Sequence, residues 1–145
     1  MLLKYLYIQV RENQIVVQDA GNPAAQPLQA DSVFSSQRLL IGDFEAALVC
    51  LKQLMDKARR PILPALFAHV VIHPLEKIEG GLAPLEERAL IELAEQAGAA
   101  KAILWTGPIL NNAEVLEKLT RKGPKNLYAQ WFSAWITSLC QRWRA

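Results

Sequence analysis

Apolar positions along the chain change period several times, and each change predicts an element. Leu2 to Val10 is rich in β-formers, with Tyr5, Tyr7, Ile8 and Val10. Ile15 to Gln18 is a second short run. Arg11-Glu12-Asn13-Gln14 between them reads as a polar hairpin turn. Gly21 to Asp31 holds Gly21, Pro23 and Pro27 and reads as loop. Leu39-Leu40-Ile41 is expected to form a third short strand. From Asp43 the spacing becomes helical. Phe44, Ala47, Leu48, Leu51, Leu54, Met55 and Ala58 form one stripe, so a helix is expected over 44–59. Asp43 supplies a carboxylate for its first-turn amides, and Pro61 and Pro64 stop it.

Leu66 to Ile72 is nearly continuous in apolar residues, the pattern of a strand buried on both faces. Gly80-Gly81 allows a sharp turn, and Pro84 suits the first position of a second helix. Gly98 is placed to end that helix in the left-handed conformation. Ala102 to Trp105 is a further buried strand. Ala113 to Lys122 is a shorter helix closed by Gly123-Pro124. From Asn126 a last stripe carries Tyr128, Trp131, Phe132, Trp135, Ile136, Leu139 and Trp143. Strands alternating with amphipathic helices imply right-handed βαβ crossovers, hence an α/β fold with a mixed sheet of four to five strands and an N-terminal β-hairpin. The expected strand order is Ile15–Gln18, Leu2–Val10, Leu66–Ile72, Ala102–Trp105. The chain reads as a single domain over 1–145, an α/β core over 1–122 followed by an aromatic amphipathic helix over 126–145.

At 145 residues with 52% hydrophobic and 21% charged positions, the chain can build its own core without disulfides or metal. Net charge is +2, which argues against a nucleic-acid partner. No run reaches the ~18 uncharged apolar residues of a membrane span. Lys4 and Gln9 interrupt the apolar start, so a signal peptide is not expected and the cytoplasm is the default address. Cys50 and Cys140 read as two buried reduced thiols. Charge is uneven. Six carboxylates between His73 and Glu95 face only Lys77 and Arg88, and no acidic residue follows Glu117.

Local chemistry is sparse. Neither GxxxxGK[ST] nor GxGxxG occurs, and no nucleophile elbow surrounds Ser32, Ser35 or Ser36. His69 and His73, four apart along a strand, would stand about 13 Å from each other, too far to share a metal. No cofactor or metal is expected. His73 precedes Pro74 at the carboxyl end of a strand, where α/β folds place their sites. A pocket there would draw on His73, Glu76, Glu86, Thr106 and Asn111.

Within residues 39–108, the segments Leu40-Ile41-Gly42-Asp43-Phe44, His69-Val70-Val71-Ile72-His73-Pro74, Leu85-Glu86-Glu87-Arg88-Ala89 and Gln96-Ala97-Gly98-Ala99-Ala100-Lys101, in this order and spacing, together resemble part of the bacterial actin-like, rod shape-determining MreB family. Leu40-Ile41-Gly42-Asp43-Phe44 is similar to that family's V-I-A-D-F. His69-Val70-Val71-Ile72-His73-Pro74 is similar to V-V-I-C-V-P, and Leu85-Glu86-Glu87-Arg88-Ala89 to V-E-R-R-A. Gln96-Ala97-Gly98-Ala99-Ala100-Lys101, a strand and Pro108 are similar to Q-A-G-A-R-K, a strand and E-E-P. The resemblance implies half of an actin-like (ribonuclease H-like) domain. It places Glu86 where the family's glutamate positions the attacking water. The departures concern the nucleotide. No D-x-G-T-like loop is visible, the family's first central strand is expected to be missing with Leu2–Val10 moving into its place, and E-E-P becomes Thr106-Gly107-Pro108.

Three readings follow. The leading one is a non-catalytic interaction or scaffold protein linked to cell shape and the cytoskeleton. Its partner would be a protein, an MreB-like filament or a second copy of itself. The second is a small-molecule-binding or hydrolytic domain with its site at the strand carboxyl ends. The third is a peripheral adaptor at the inner face of the membrane, holding an anionic lipid surface or a partner through Trp131, Phe132, Trp135, Trp143, Arg142 and Arg144.

Overall fold

The computed structural model describes residues 3–59 and 67–120. The aromatic segment 126–145, Cys140, Arg121, Lys122, Pro61 and Pro64 lie outside the described residues. The elements follow in the order β1 (Leu3–Arg11), β2 (Gln14–Asp19), β3 (Leu28–Asp31), α1 (Phe44–Arg59), β4 (Phe67–Pro74), α2 (Pro84–Gln96), β5 (Ala99–Leu104) and α3 (Asn112–Thr120).

One five-stranded mixed sheet has the order β3-β2-β1-β4-β5. β1 pairs antiparallel with β2, with Arg11 facing Gln14 across the turn. On its other side β1 runs parallel to β4, Leu3 facing Phe67 and Ile8 facing Ile72. β5 continues the parallel half. The expected order of four strands therefore holds, and β3 extends it on the β2 side.

Alternation along the strands sorts side chains to two faces. Leu6, Ile8 and Val10 of β1, Ile15 and Val17 of β2, and Val70 and Ile72 of β4 meet Leu51, Leu54 and Met55 of α1 and Leu90 and Leu93 of α2. These helix side chains are at most 2% exposed. Each contributes roughly 1.5–3 kcal/mol relative to solvent exposure. The opposite face carries a smaller cluster, in which Tyr7 and Val71 pack beneath Leu110, Val115 and Leu119. α1 and α2 thus cover one face and α3 the other.

Helix ends follow the local chemistry. Asp43 accepts from the Ala46 amide through Oδ1 at 3.1 Å and opens α1. Pro84 begins α2, and Gly98 leaves it at φ 114°. Asn111 and Glu114 form a reciprocal capping box at the start of α3. The Glu114 amide donates to Asn111 Oδ1 at 2.8 Å, and the Asn111 amide to Glu114 Oε1 at 3.4 Å.

Two sequence expectations change. The third strand is Leu28–Asp31, inside the stretch expected to be loop, and Leu39-Leu40-Ile41 is not a strand. Four residues alternating Leu28 and Ala30 against Gln29 and Asp31 suffice for an edge strand on β2. The apolar triplet instead belongs to a loop whose Phe34 and Leu40, 1% and 4% exposed, plug the rim of the larger core. β4 also runs two residues beyond Ile72, so His73 lies within the strand, and β5 begins at Ala99 rather than Ala102.

Candidate functional site

The carboxyl ends of β1 and β4 converge with the turn after β1, the loop before α1 and the segment after β4. Asn13 organises this end. It sits in the left-handed region at φ 55°. Its Oδ1 accepts from the Phe34 amide at 3.0 Å and the Ser35 amide at 2.8 Å, and its own amide donates to Ser35 Oγ at 3.0 Å. Ser35 Oγ in turn donates to the Leu40 carbonyl at 2.6 Å. Lys77 ties the same loop from the other side, donating to the carbonyls of Ser36 and Gln37 while its ammonium lies 3.5 Å from the Glu12 carboxylate.

Glu76 faces the turn as well. The Glu12 amide donates to its Oε2 at 3.1 Å, and Arg11 stands 3.9 Å from its Oε1. Both amides of the two-residue turn are therefore occupied, one by a carboxylate and one by a hydroxyl. An anion cradle needs such amides free and convergent.

His73 lies on the face covered by α3 and is 1% exposed. Its Nδ1 is 2.6 Å from the Tyr7 hydroxyl, which also accepts from the Leu110 amide at 3.2 Å. Tyr7 donating to Nδ1 satisfies both contacts at once, which assigns the histidine proton to Nε2. The rings stack at 5.9 Å. Nε2 is buried without a hydrogen bond. Burial pushes the His73 imidazole below its ordinary range. The Gly107 backbone opposes that shift by proximity, and the Arg11 charge adds to it. His69, at the edge of the Tyr5 ring, is also lowered, first by burial and then by Lys101. Burial and then Asp31 push the Cys50 thiol up, which keeps it protonated and poorly nucleophilic.

The histidine shifts set an acid dependence. The folded state prefers neutral imidazoles, so the unfolded chain takes up protons first as pH falls below about 6.5. Their contribution is complete above that pH and is lost on acidification. The urea midpoint is expected to drop between about pH 7 and about pH 5, and His73→Asn should flatten that slope whatever its absolute stability. An unchanged slope in the variant would remove His73 from the account.

The five expected pocket residues do not share one pocket. His73 is enclosed by Tyr7 and the smaller core. Glu76 is bound to the β1–β2 turn. Asn111 caps α3, and Thr106 is exposed in the preceding loop. Glu86 lies with α2 on the opposite face, lining an apolar cleft between α2 and Leu39-Leu40-Ile41. Among the described residues no group of three or more His, Cys, Asp or Glu side chains could hold a metal ion. No described helix is long and apolar enough to cross a membrane. Sequence reasoning missed Asn13 and Tyr7. An asparagine in a predicted hairpin turn was the available signal for the first, and nothing local marks the second.

A central first strand between an antiparallel pair and two parallel strands, with helices on both faces, is a mixed α/β fold resembling half of an actin-like domain. The solved structure of ethanolamine utilization protein EutJ from Carboxydothermus hydrogenoformans, an actin-like protein, shares this fold. It matches 70% of this chain with a TM-score of 0.52 at 15% identity. The chain spans about a third of that protein's length, 36%. No family model matches the chain. The uncharacterized protein YjaA of Escherichia coli (strain K12) is 34% identical over 129 residues, covering 83% of this chain and 100% of YjaA, and this chain belongs to the YjaA family.

Leu3–Arg11 takes the central place in the sheet beside β4, as expected of Leu2–Val10.

Proposed function

We propose that the chain is a non-catalytic interaction protein that keeps an actin-like scaffold and has turned its first nucleotide-facing turn into a structural joint. The supporting observation is the turn itself. Glu76 places a carboxylate on the Glu12 amide, and Ser35 takes the Asn13 amide. A triphosphate would have to displace a like-charged group held by its own donor. The partner in this reading is a protein. The MreB-like segments around Asp43, His73, Glu86 and Gly98 are the support for placing that partner in the cell-shape cytoskeleton.

Calorimetric titration of the full chain with Mg-ATP tests the reading. No binding heat is expected up to about 1 mM nucleotide, whereas a Kd of tens of micromolar or tighter, on the order of −6 to −7 kcal/mol, overturns it.

A further inference from the structure

The two edges of the sheet differ. β3 is four residues long, follows Pro27 and alternates half-buried Leu28 and Ala30 with exposed Gln29 and Asp31. Short length, a proline and a charge are the ordinary guards of an edge. β5 runs over six residues with no proline and carries one charge, Lys101. Ala102, Ile103, Leu104 and the following Trp105 are apolar and half-buried. An edge of this composition is a template for another strand.

The ladder fixes which groups β5 offers. Ile72 faces Leu104, and the Trp105 amide donates to the Ile72 carbonyl at 3.0 Å. Backbone groups alternate sides along a strand, so Lys101, Ile103 and Trp105 turn theirs to β4. Ala102 and Leu104 turn N–H and C=O outward, and among the described residues nothing pairs with them. Side chains alternate as well: Ala102 and Leu104 pack on the larger core, Ile103 and Trp105 on the smaller. The irregularity comes earlier. Ala68 faces Ala99 and His69 faces Lys101, which leaves Ala100 as an extra residue in a bulge.

These positions select a partner. Antiparallel strands place facing residues on the same side of the sheet, so two copies of β5 can pair only about an axis at a residue position. An axis at Lys101 sets two ammonium groups against each other. An axis at Ala102 calls on Ala100, which the bulge displaces. An axis at Ile103 meets neither obstacle. Ala102 of each copy then exchanges both backbone hydrogen bonds with Leu104 of the other, a small side chain against a large one. Ile103 faces Ile103 in the close, non-hydrogen-bonded position, with about 4.5 Å between Cα atoms. Lys101 lies opposite Trp105, whose ring already carries Lys118 at 3.6 Å. That pair supplies register more than affinity.

We propose that β5 pairs antiparallel with β5 of a second copy about a two-fold axis at Ile103, joining two sheets into one. The inference rests on the reading of the chain as an interaction protein and names its partner. The same described strand stands on both sides of the axis, so its occupant is another molecule. The contact is isologous and closes at a dimer.

Sedimentation velocity on the full chain from about 5 to about 500 µM tests it. The average mass should rise with concentration and stop at twice that of the monomer. Ala102→Pro removes an outward N–H and leaves the ladder to β4 whole, so it should weaken association by about tenfold or more with the far-UV circular dichroism of the parent. Should Ala102→Pro fail to fold, Ile103→Lys, which keeps every backbone group and sets like charges at the axis, carries the same expectation. Under oxidation Ile103→Cys should form a cross-linked dimer beyond the level of the parent, and Lys101→Cys should not. A chain that stays monomeric throughout, one that grows past the dimer, or one whose association ignores both substitutions overturns the proposal. So does cross-linking at Lys101→Cys in preference to Ile103→Cys. ATP binding would overturn the non-catalytic reading without changing the sedimentation result. A monomer indifferent to ATP overturns only the pairing.

Discussion

Replacing Asn13 by alanine should lower the stability of the fold by about 2–4 kcal/mol. Two terms combine. The side-chain oxygen satisfies the Phe34 and Ser35 amides, and both would be left without their acceptor in a partly buried loop. Unmade hydrogen bonds of this kind cost roughly 1–3 kcal/mol each, less where water can enter. The backbone at φ 55° adds strain for a residue with a Cβ that asparagine tolerates better than alanine. Asn13→Gly separates the terms, since glycine accepts the dihedral and lacks the oxygen. It should fall between the parent and Asn13→Ala in urea denaturation. The loop it releases carries Phe34 and Leu40, so the loss should also appear as faster exchange of the Gly42 and Asp43 amides, both bound to the Phe34 carbonyl. A change below about 0.5 kcal/mol in Asn13→Ala would show that the loop holds itself.

Tyr7→Phe is expected to cost about 2–5 kcal/mol, although it removes a single oxygen. Tyr7 is 1% exposed, and its hydroxyl both donates to His73 Nδ1 and accepts from the Leu110 amide. Its loss leaves His73 Nδ1 and the buried Leu110 amide without this partner. The aromatic ring remains, so packing on Val71 and Val115 is kept and the deficit isolates the polar node. The Leu110 amide should lose protection while amides in β2 stay slow. Stability within about 0.5 kcal/mol of the parent would mean that His73 and Leu110 find other partners.

Much of the architecture was legible because the pattern was strong. The stripe from Phe44 to Ala58 fixed α1 to its observed ends. The continuous run into Ile72 identified a strand buried on both faces, and that burial placed it beside β1. β3 was hidden because Pro23, Pro27 and Gly21 mark the approach to a four-residue strand as loop, and alternation over four residues is a weak signal. Leu39-Leu40-Ile41 misled in the opposite direction, since a loop that plugs a core is as apolar as a strand. The site was less legible. Tyr7 faces Val71 in the parallel register, and its contact with His73 is a diagonal one that only the register creates. Glu86 and His73 both lie near strand ends in sequence, yet the sheet separates them, because α2 and α3 pack on opposite faces.

The two-sided pairing of β1 has a kinetic consequence. Its antiparallel neighbour follows after a two-residue turn and can form at once, while its parallel neighbour begins at Phe67. During synthesis the hairpin must therefore wait, with the hydrogen-bonding groups of β1 open along one side, until α1 and β4 have emerged. Non-local closure of this kind slows folding and leaves the nascent hairpin open to foreign strands. Ribosome-bound chains that stop short of residue 74 should be the most prone to aggregate.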